Sequence, residues 1–301
     1  MAGRRWLIGS GFLVAGFLLP AAATALTAGG QAGWVAPREV RFSVGAGERV
    51  SDLADRWQEM GISSRNAVAE AAAGEAFARF PLVPPPRPEA GRFEGLFWPG
   101  SYTIRLPERS AGESPESYRY RTTVYLIETL LERAAAAEGQ VGPQHGLSAY
   151  QLLILASIVQ KEAASGKDYR LVASVFFNRL AEQMHLSSCP ALEYALGYHR
   201  PFLTRKDLEL DSPYNTYRHA GLPPTPIAFF SPEALAAVLH PALSSYLFFV
   251  FDWTKPGLLF ARTPPEHERQ AQQAEEEYVR KYGLAALHWK YPGLFYQQVG
   301  A

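Results

Sequence analysis

The chain has almost no cysteine: Cys189 stands alone among 301 residues, so no intramolecular disulfide can hold the fold. It has no excess of either charge. The 29 basic and 29 acidic side chains give a formal net charge of +0, which argues against a protein that grips nucleic acid through its phosphates. The 7 histidines are scattered without ligand spacing, so neither a metal nor a cofactor is indicated. No G-x-S-x-G elbow, Walker A loop or H-E-x-x-H pair is present. No repeat recurs at a solenoid period. With 48% hydrophobic and 19% charged residues, the chain is neither disordered, collagen-like nor a disulfide-stapled miniprotein. Its length suffices for one large core or two modest ones.

The apolar residues are unevenly spread, and their densest run is at the amino end. Arg4 and Arg5 precede WLIGSGFLVAGFLLPAAATAL (Trp6 to Leu26), which carries no charge. Roughly 20 apolar residues cross a bilayer as a helix. Two readings stand side by side. The span fits a retained anchor with its arginines inside, whereas the alanines from Ala21 to Ala28 fit a cleavable signal peptide. Both place the rest of the chain outside the cytoplasm. The anchor reading gives residues 1–5 as a cytoplasmic tail, 6–28 as the span and 29–38 as a linker.

Beyond the linker, VRFSV (Val40 to Val44) alternates as a strand does, and Val50, Leu53, Ala54 and Trp57 recur at helical spacing until Gly61. An alanine-rich helix is expected from Ser64 to Arg79. Pro81 and the Pro84–Pro88 run then form a stiff connection and a candidate boundary. The expected fold is α+β: a small strand–helix–helix module over 39–88 and a mixed α/β domain over 89–301, preceded by one membrane helix. In the second part, EGLFWPGSY (Glu94 to Tyr102) reads as extended aromatic chain with a turn, serving either a groove or a core. A helix is expected from Ser114 to Glu138. Ser148 and Gln151 form a capping box for QLLILASIVQKEAAS, a buried helix. An amphipathic helix follows, with Leu171, Val172, Val175, Phe176 and Leu180 on one side. A hairpin near Tyr246–Arg262 and a charged helix over Pro265–Tyr282 complete the pattern.

Two features carry candidate chemistry. Leu155, Ile158, Val159 and Glu162 share one helix face, which puts a carboxyl in register with an apolar stripe. Burial would raise its pKa toward that of a general acid working near neutral pH. The competing reading is a helix-end glutamate solvated beside Lys161. The second feature is DSPYNTYRHAGLPPTPIAFFSP (Asp211 to Pro232), stiffened by prolines. Tyr214, Asn215, Thr216 and Tyr217 there offer the hydroxyls, amide and rings that suit carbohydrate, or else a structural loop. Cys189 reads as a small buried residue. Glu193 is a further carboxylate that no spacing ties to Glu162.

These blocks together resemble the YceG-like family of endolytic murein transglycosylases. The similarity rests on EGLFWPGSY, LASIVQKEA (Leu155 to Ala163), VASVFFNRL (Val172 to Leu180), ALEYALG and, most distinctively, DSPYNTYRHAGLPPTPI. It implies an inner-membrane anchor, a LysM-like module and an extracytoplasmic domain. It also implies cleavage of peptidoglycan glycan strands between N-acetylmuramic acid and N-acetylglucosamine, leaving 1,6-anhydro ends. The family's catalytic glutamate falls on Glu162, with Tyr214, Asn215, Thr216 and Tyr217 as substrate-positioning groups and no cofactor. Proximity to cell-wall synthases is implied, and nucleic acid is not. Two departures stand out: Gln160, where members often carry Glu, and Cys189, where many carry Asp. A non-catalytic glycan-binding scaffold and a muramidase-type hydrolase are the alternatives.

Overall fold

Strand β1 (Glu39–Val44) turns Val40, Phe42 and Val44 inward and leaves its other side chains exposed, as the alternation in its sequence requires. It pairs antiparallel with β2 (Gly100–Arg105), in a register from Glu39↔Arg105 to Val44↔Gly100. The computed structural model describes residues 39–87, 90–138, 141–163, 165–199, 203–252 and 257–282. Phe42 stacks on Tyr102 at 5.7 Å and meets Trp57 edge-on at 5.6 Å. Trp57 belongs to α1 (Val50–Glu59), whose buried stripe is Val50, Leu53, Ala54 and Trp57. Gly61, at φ +71, takes the chain out of that helix through a conformation that side-chain-bearing residues disfavour.

Helix α2 spans Arg65–Ala73, capped by the Ser64 side chain, and is shorter than the helix to Arg79 expected from composition. The reason lies in a distant side chain. Arg92 is buried, and its guanidinium donates to the carbonyls of Ala72 (2.9 Å), Gly74 (2.5 Å) and Pro84 (2.8 Å). It thereby satisfies carbonyls that another helical turn would otherwise occupy. The chain passes through a 3-10 turn, Ala90–Phe93, before β2. The segments before and after the prolines therefore share a sheet and a core. A ladder of rings, Phe77–Phe93–Phe97–Phe229, runs on from there at centroid spacings of 4.9, 6.0 and 5.4 Å.

Helix α3 (Pro115–Glu138) packs on α2. Helix α4 (Ala149–Glu162) opens on the expected capping box: Ser148 Oγ accepts from the Gln151 N–H at 3.2 Å, and Gln151 Oε1 accepts from the Ser148 N–H at 2.9 Å. Every residue from Leu152 to Val159 is buried, because α5 (Tyr169–Ala181), α6 (Cys189–Leu196) and α8 (Pro232–Leu239) all pack against α4. A short α7 (Arg205–Leu208) follows α6. Strands β3 (Phe248–Phe251) and β4 (Leu258–Ala261) form an antiparallel hairpin under α9 (Pro264–Tyr282). The architecture among the described residues is α+β, with two separate two-stranded sheets around a central buried helix. No helix there is long and apolar enough to cross a membrane, and residues 1–38, with the expected tail, span and linker, lie outside the described residues.

Candidate active site

Glu162 is the last residue of α4 and only 7% exposed, so its side chain follows the apolar stripe inward and is not solvated beside Lys161. Lys161 turns the other way and donates to the Gly47 carbonyl at 3.3 Å. The carboxyl of Glu162 faces the amino end of α6, where the Ser188 hydroxyl and the Cys189 backbone N–H are near enough to favour its anion. Burial dominates its ionisation and pushes the pKa from 4.5 up to about 7. The Ser188 hydroxyl, the nearby Arg179 charge and the Cys189 N–H pull the other way, while the Glu193 charge adds to the rise. Arg179 itself is committed to backbone: its guanidinium donates to Leu247 O at 2.7 Å and Leu186 O at 2.6 Å, against the Phe248 ring.

The proline-stiffened loop builds the floor that holds α6 in place. Asn215 is fully buried, and its amide donates to the Leu208 and Leu210 carbonyls at 2.9 and 2.8 Å while its oxygen accepts from the Tyr217 N–H at 3.1 Å. Thr216 is buried too. Its Oγ1 accepts from the Ser188 N–H at 2.9 Å, and its carbonyl accepts from the Ser187 N–H at 3.0 Å. Ser187 sits at φ 49, a left-handed conformation for a residue with a side chain, held by that clamp. The Tyr217 hydroxyl lies 2.9 Å from Cys189 Sγ. Burial pushes that thiol up to about 12, so it stays protonated and is no nucleophile at neutral pH. Tyr214 is half-buried, 2.8 Å from the Thr225 hydroxyl, with its ring 4.8 Å from that of Tyr194. Gln160 accepts the Ser231 N–H at 2.9 Å and so ties α4 to the cap of α8.

Of the residues expected from sequence, the fold brings Glu162 and Tyr217 to the two sides of Cys189 and places Asn215 and Thr216 inside the loop that shapes this corner. Sequence reasoning missed Ser188 and Arg179, which offset part of the effect of burial on Glu162, and Glu94. The Ser188–Cys189–Pro190 order is a readable helix start, with a capping serine and an early proline. Glu94 is only 3% exposed within the EGLFWPGSY block. Its two oxygens each lie 3.2 Å from the Val50 N–H that opens α1, and Oε1 accepts from the Tyr194 hydroxyl at 3.4 Å. Burial outweighs these contacts and pushes its carboxyl from 4.5 up to about 8. The β1–α1 turn is pinned to the same neighbourhood by reciprocal backbone bonds. The Gly47 N–H donates to Phe229 O, and the Phe229 N–H donates to Glu48 O, both at 2.7 Å.

Chemically, the corner offers one buried carboxyl poised near neutral pH, flanked by a hydroxyl and a backbone donor. The chain is similar to several known proteins. An endolytic murein transglycosylase of Bacillus subtilis is 34% identical over 186 residues, 62% of this chain and 48% of the relative. One from Streptococcus pneumoniae D39 is 32% identical over 211 residues, 65% of this chain and 35% of the relative. The chain thus spans about half or less of the length of these relatives. A crystal structure of a YceG-like protein from Listeria monocytogenes superposes with a TM-score of 0.62 at 27% identity, covering 76% of this chain and 75% of that one. The sequence profile of the YceG-like family matches residues 14–273, which contain the whole corner around Glu162, and on that match the chain belongs to the YceG-like family.

Proposed function

We propose that the protein is a lytic transglycosylase that cuts peptidoglycan glycan strands internally, with Glu162 as its one general acid and base. The observation that carries the reading is the place of that carboxyl: buried at the end of α4, where burial pushes its pKa up to about 7, and facing donors that favour its anion once the proton has left. The names borne by the Bacillus and Streptococcus relatives agree with it.

The step balances without water. The Glu162 carboxyl gives its proton to the glycosidic oxygen, the C1–O bond breaks with its electron pair on that oxygen, and positive charge develops on the muramic acid ring. The carboxylate left behind is stabilised by the Ser188 hydroxyl, the Cys189 N–H and the Arg179 charge. It then takes the proton of the ring's own C6 hydroxyl, whose oxygen bonds to C1 and closes a 1,6-anhydro ring. Glu162 ends protonated, ready for another cycle. Thr216 acts by holding Ser187 and Ser188, and Asn215 by fixing the loop that carries Thr216. Tyr214 and Tyr217 are the members of that loop half-exposed toward a substrate. The proposal includes a retained anchor at residues 6–28, a LysM-like module over 39–88 and an extracytoplasmic site beside the cell-wall synthases.

The test is a digest of purified sacculi by wild type and Glu162→Gln, with products weighed by mass spectrometry. Anhydro-ended fragments from the wild type alone are expected, with at least ~100-fold less product from the variant. Reducing ends would mean a hydrolase instead, and no product from either protein would leave a glycan-binding scaffold.

A further inference from the structure

Beside the Glu162 corner lies a second polar cluster that the proposed reaction does not use. Its centre is the ring of Tyr194, on α6 directly after Glu193. The Arg49 guanidinium stacks over that ring at 5.0 Å from the centroid. Arg49 belongs to the β1–α1 turn, which Lys161 and Phe229 hold against the end of α4. The guanidinium makes no side-chain hydrogen bond and no ion pair among the described residues. The adjacent Asp52 carboxylate accepts from the Arg49 backbone N–H at 2.9 Å, and Glu94 is taken by Val50 and the Tyr194 hydroxyl. A stacked guanidinium keeps its N–H edge free, and that edge presents paired donors matched to a carboxylate. Arg49, Tyr194 and Tyr214 are all half-buried, so part of each residue reaches solvent.

The electrostatic balance of the cluster points the same way. Glu94 is a buried acid that feels the Arg49 charge, and with its carboxyl raised to about 8 it is mostly neutral at pH 7. The Arg87 charge reaches the neighbouring Tyr150 hydroxyl, which is buried without a hydrogen-bond partner among the described residues. The cluster thus sets the Arg49 and Arg87 charges against the single Asp52 carboxylate, which is occupied at the Arg49 backbone N–H, next to an aromatic pair 4.8 Å apart suited to the face of a sugar ring.

We infer that Arg49, stacked on Tyr194 and backed by Tyr214, forms a carboxylate-binding subsite for the glycan strand next to the bond that Glu162 cleaves. The inference rests on the proposed function for the identity of the strand. Such strands bear a lactyl carboxyl on every second sugar, either free or carrying a peptide with carboxylates of its own. The first module would then contribute a specificity contact directly, through one residue of its turn.

The test is equilibrium binding to the Glu162→Gln protein, which does not consume its ligand, with and without Arg49→Met or Arg49→Lys. Three ligands of matched length are compared: strands with peptide stems, stem-free strands with lactyl carboxyls, and uncharged N-acetylglucosamine oligomers. Arg49→Met, whose apolar stem still covers Tyr194, is expected to weaken a carboxylate-bearing ligand by about tenfold or more. It should leave the uncharged oligomer within about twofold, with Arg49→Lys in between. A loss confined to the peptide-bearing strand assigns the contact to the stem, a loss confined to the stem-free strand assigns it to the free lactyl carboxylate, and a loss on both means that the subsite accepts either carboxylate. Equal losses on all three ligands, or none on any, overturn the subsite. Melting temperatures confirm that the variants are folded. If wild type leaves sacculi uncut, the proposed reaction fails, and the binding comparison still decides the subsite on its own.

Discussion

Glu162 sits between opposed influences, and their balance can be moved one residue at a time. Burial raises its carboxyl, while the Ser188 hydroxyl is the strongest of the groups that lower it. A general acid must be protonated when substrate arrives, so kcat/KM should hold steady below about pH 7 and fall above it, set by the free enzyme. Ser188→Ala removes a donor that favours the anion, so the falling limb should move to higher pH. The same change deletes the α6 cap, where Ser188 Oγ accepts from the Ala191 N–H at 3.3 Å, and should cost about 1 kcal/mol of stability. A pH–rate profile separates these effects: loss of the cap alone lowers the plateau, and only a change at Glu162 displaces the limb. A limb that stays in place would mean that Ser188 does not set the ionisation.

Among the elements, α4 was the most legible from sequence and α2 the least. The capping box and the run of small and branched residues around Leu155 fixed the start and burial of α4, and the 3.6-residue period placed Glu162 on its inner face. The end of α2 was not legible, because Arg92, 20 positions beyond Ala72, takes the carbonyls there. Glu94 escaped notice for a related reason. Its burial comes from α1 and α6, distant in sequence, and its block reads as purely aromatic. Asn215 and Thr216 were placed in the right loop, but spacing along irregular chain does not say which side chains turn inward. Arg92→Met is the sharp test at this scale. Three carbonyls would lose a charged donor inside a core, at a cost of about 3 kcal/mol or more by chemical denaturation. A loss below about 1 kcal/mol would mean that the carbonyls find other donors.

For the whole molecule, two buried acids with raised pKa values tie stability to pH. Glu94 and Glu162 ordinarily titrate at 4.5 and here at about 8 and about 7. The folded state therefore holds protons that the unfolded chain has released. Their contribution to stability is fully present below pH 4.5 and is lost as pH rises through about 7 and then about 8. A tenfold difference in proton affinity between the folded and unfolded chain is worth about 1.4 kcal/mol, so the melting temperature should fall between pH 5 and pH 9. Glu94→Gln, which keeps an acceptor for the Val50 N–H, should flatten that fall from about pH 5 to about pH 8, most completely between about pH 7 and pH 8, where Glu162 no longer contributes. An unchanged slope would show that Glu94 ionises freely in the folded protein.

The reciprocal bonds joining Gly47 and Glu48 to Phe229 have a consequence in time as well as space. They close a loop of about 180 residues, and closure of that kind comes late because its entropy must be met before any contact rewards it. Helix α4 can form early from its own local signals, but the turn carrying Arg49 gains its second anchor, beyond Lys161, only after Phe229 has been synthesised. A partly made chain therefore contains Glu162 without the surroundings that hold its proton, and the corner is completed only when the two distant segments meet.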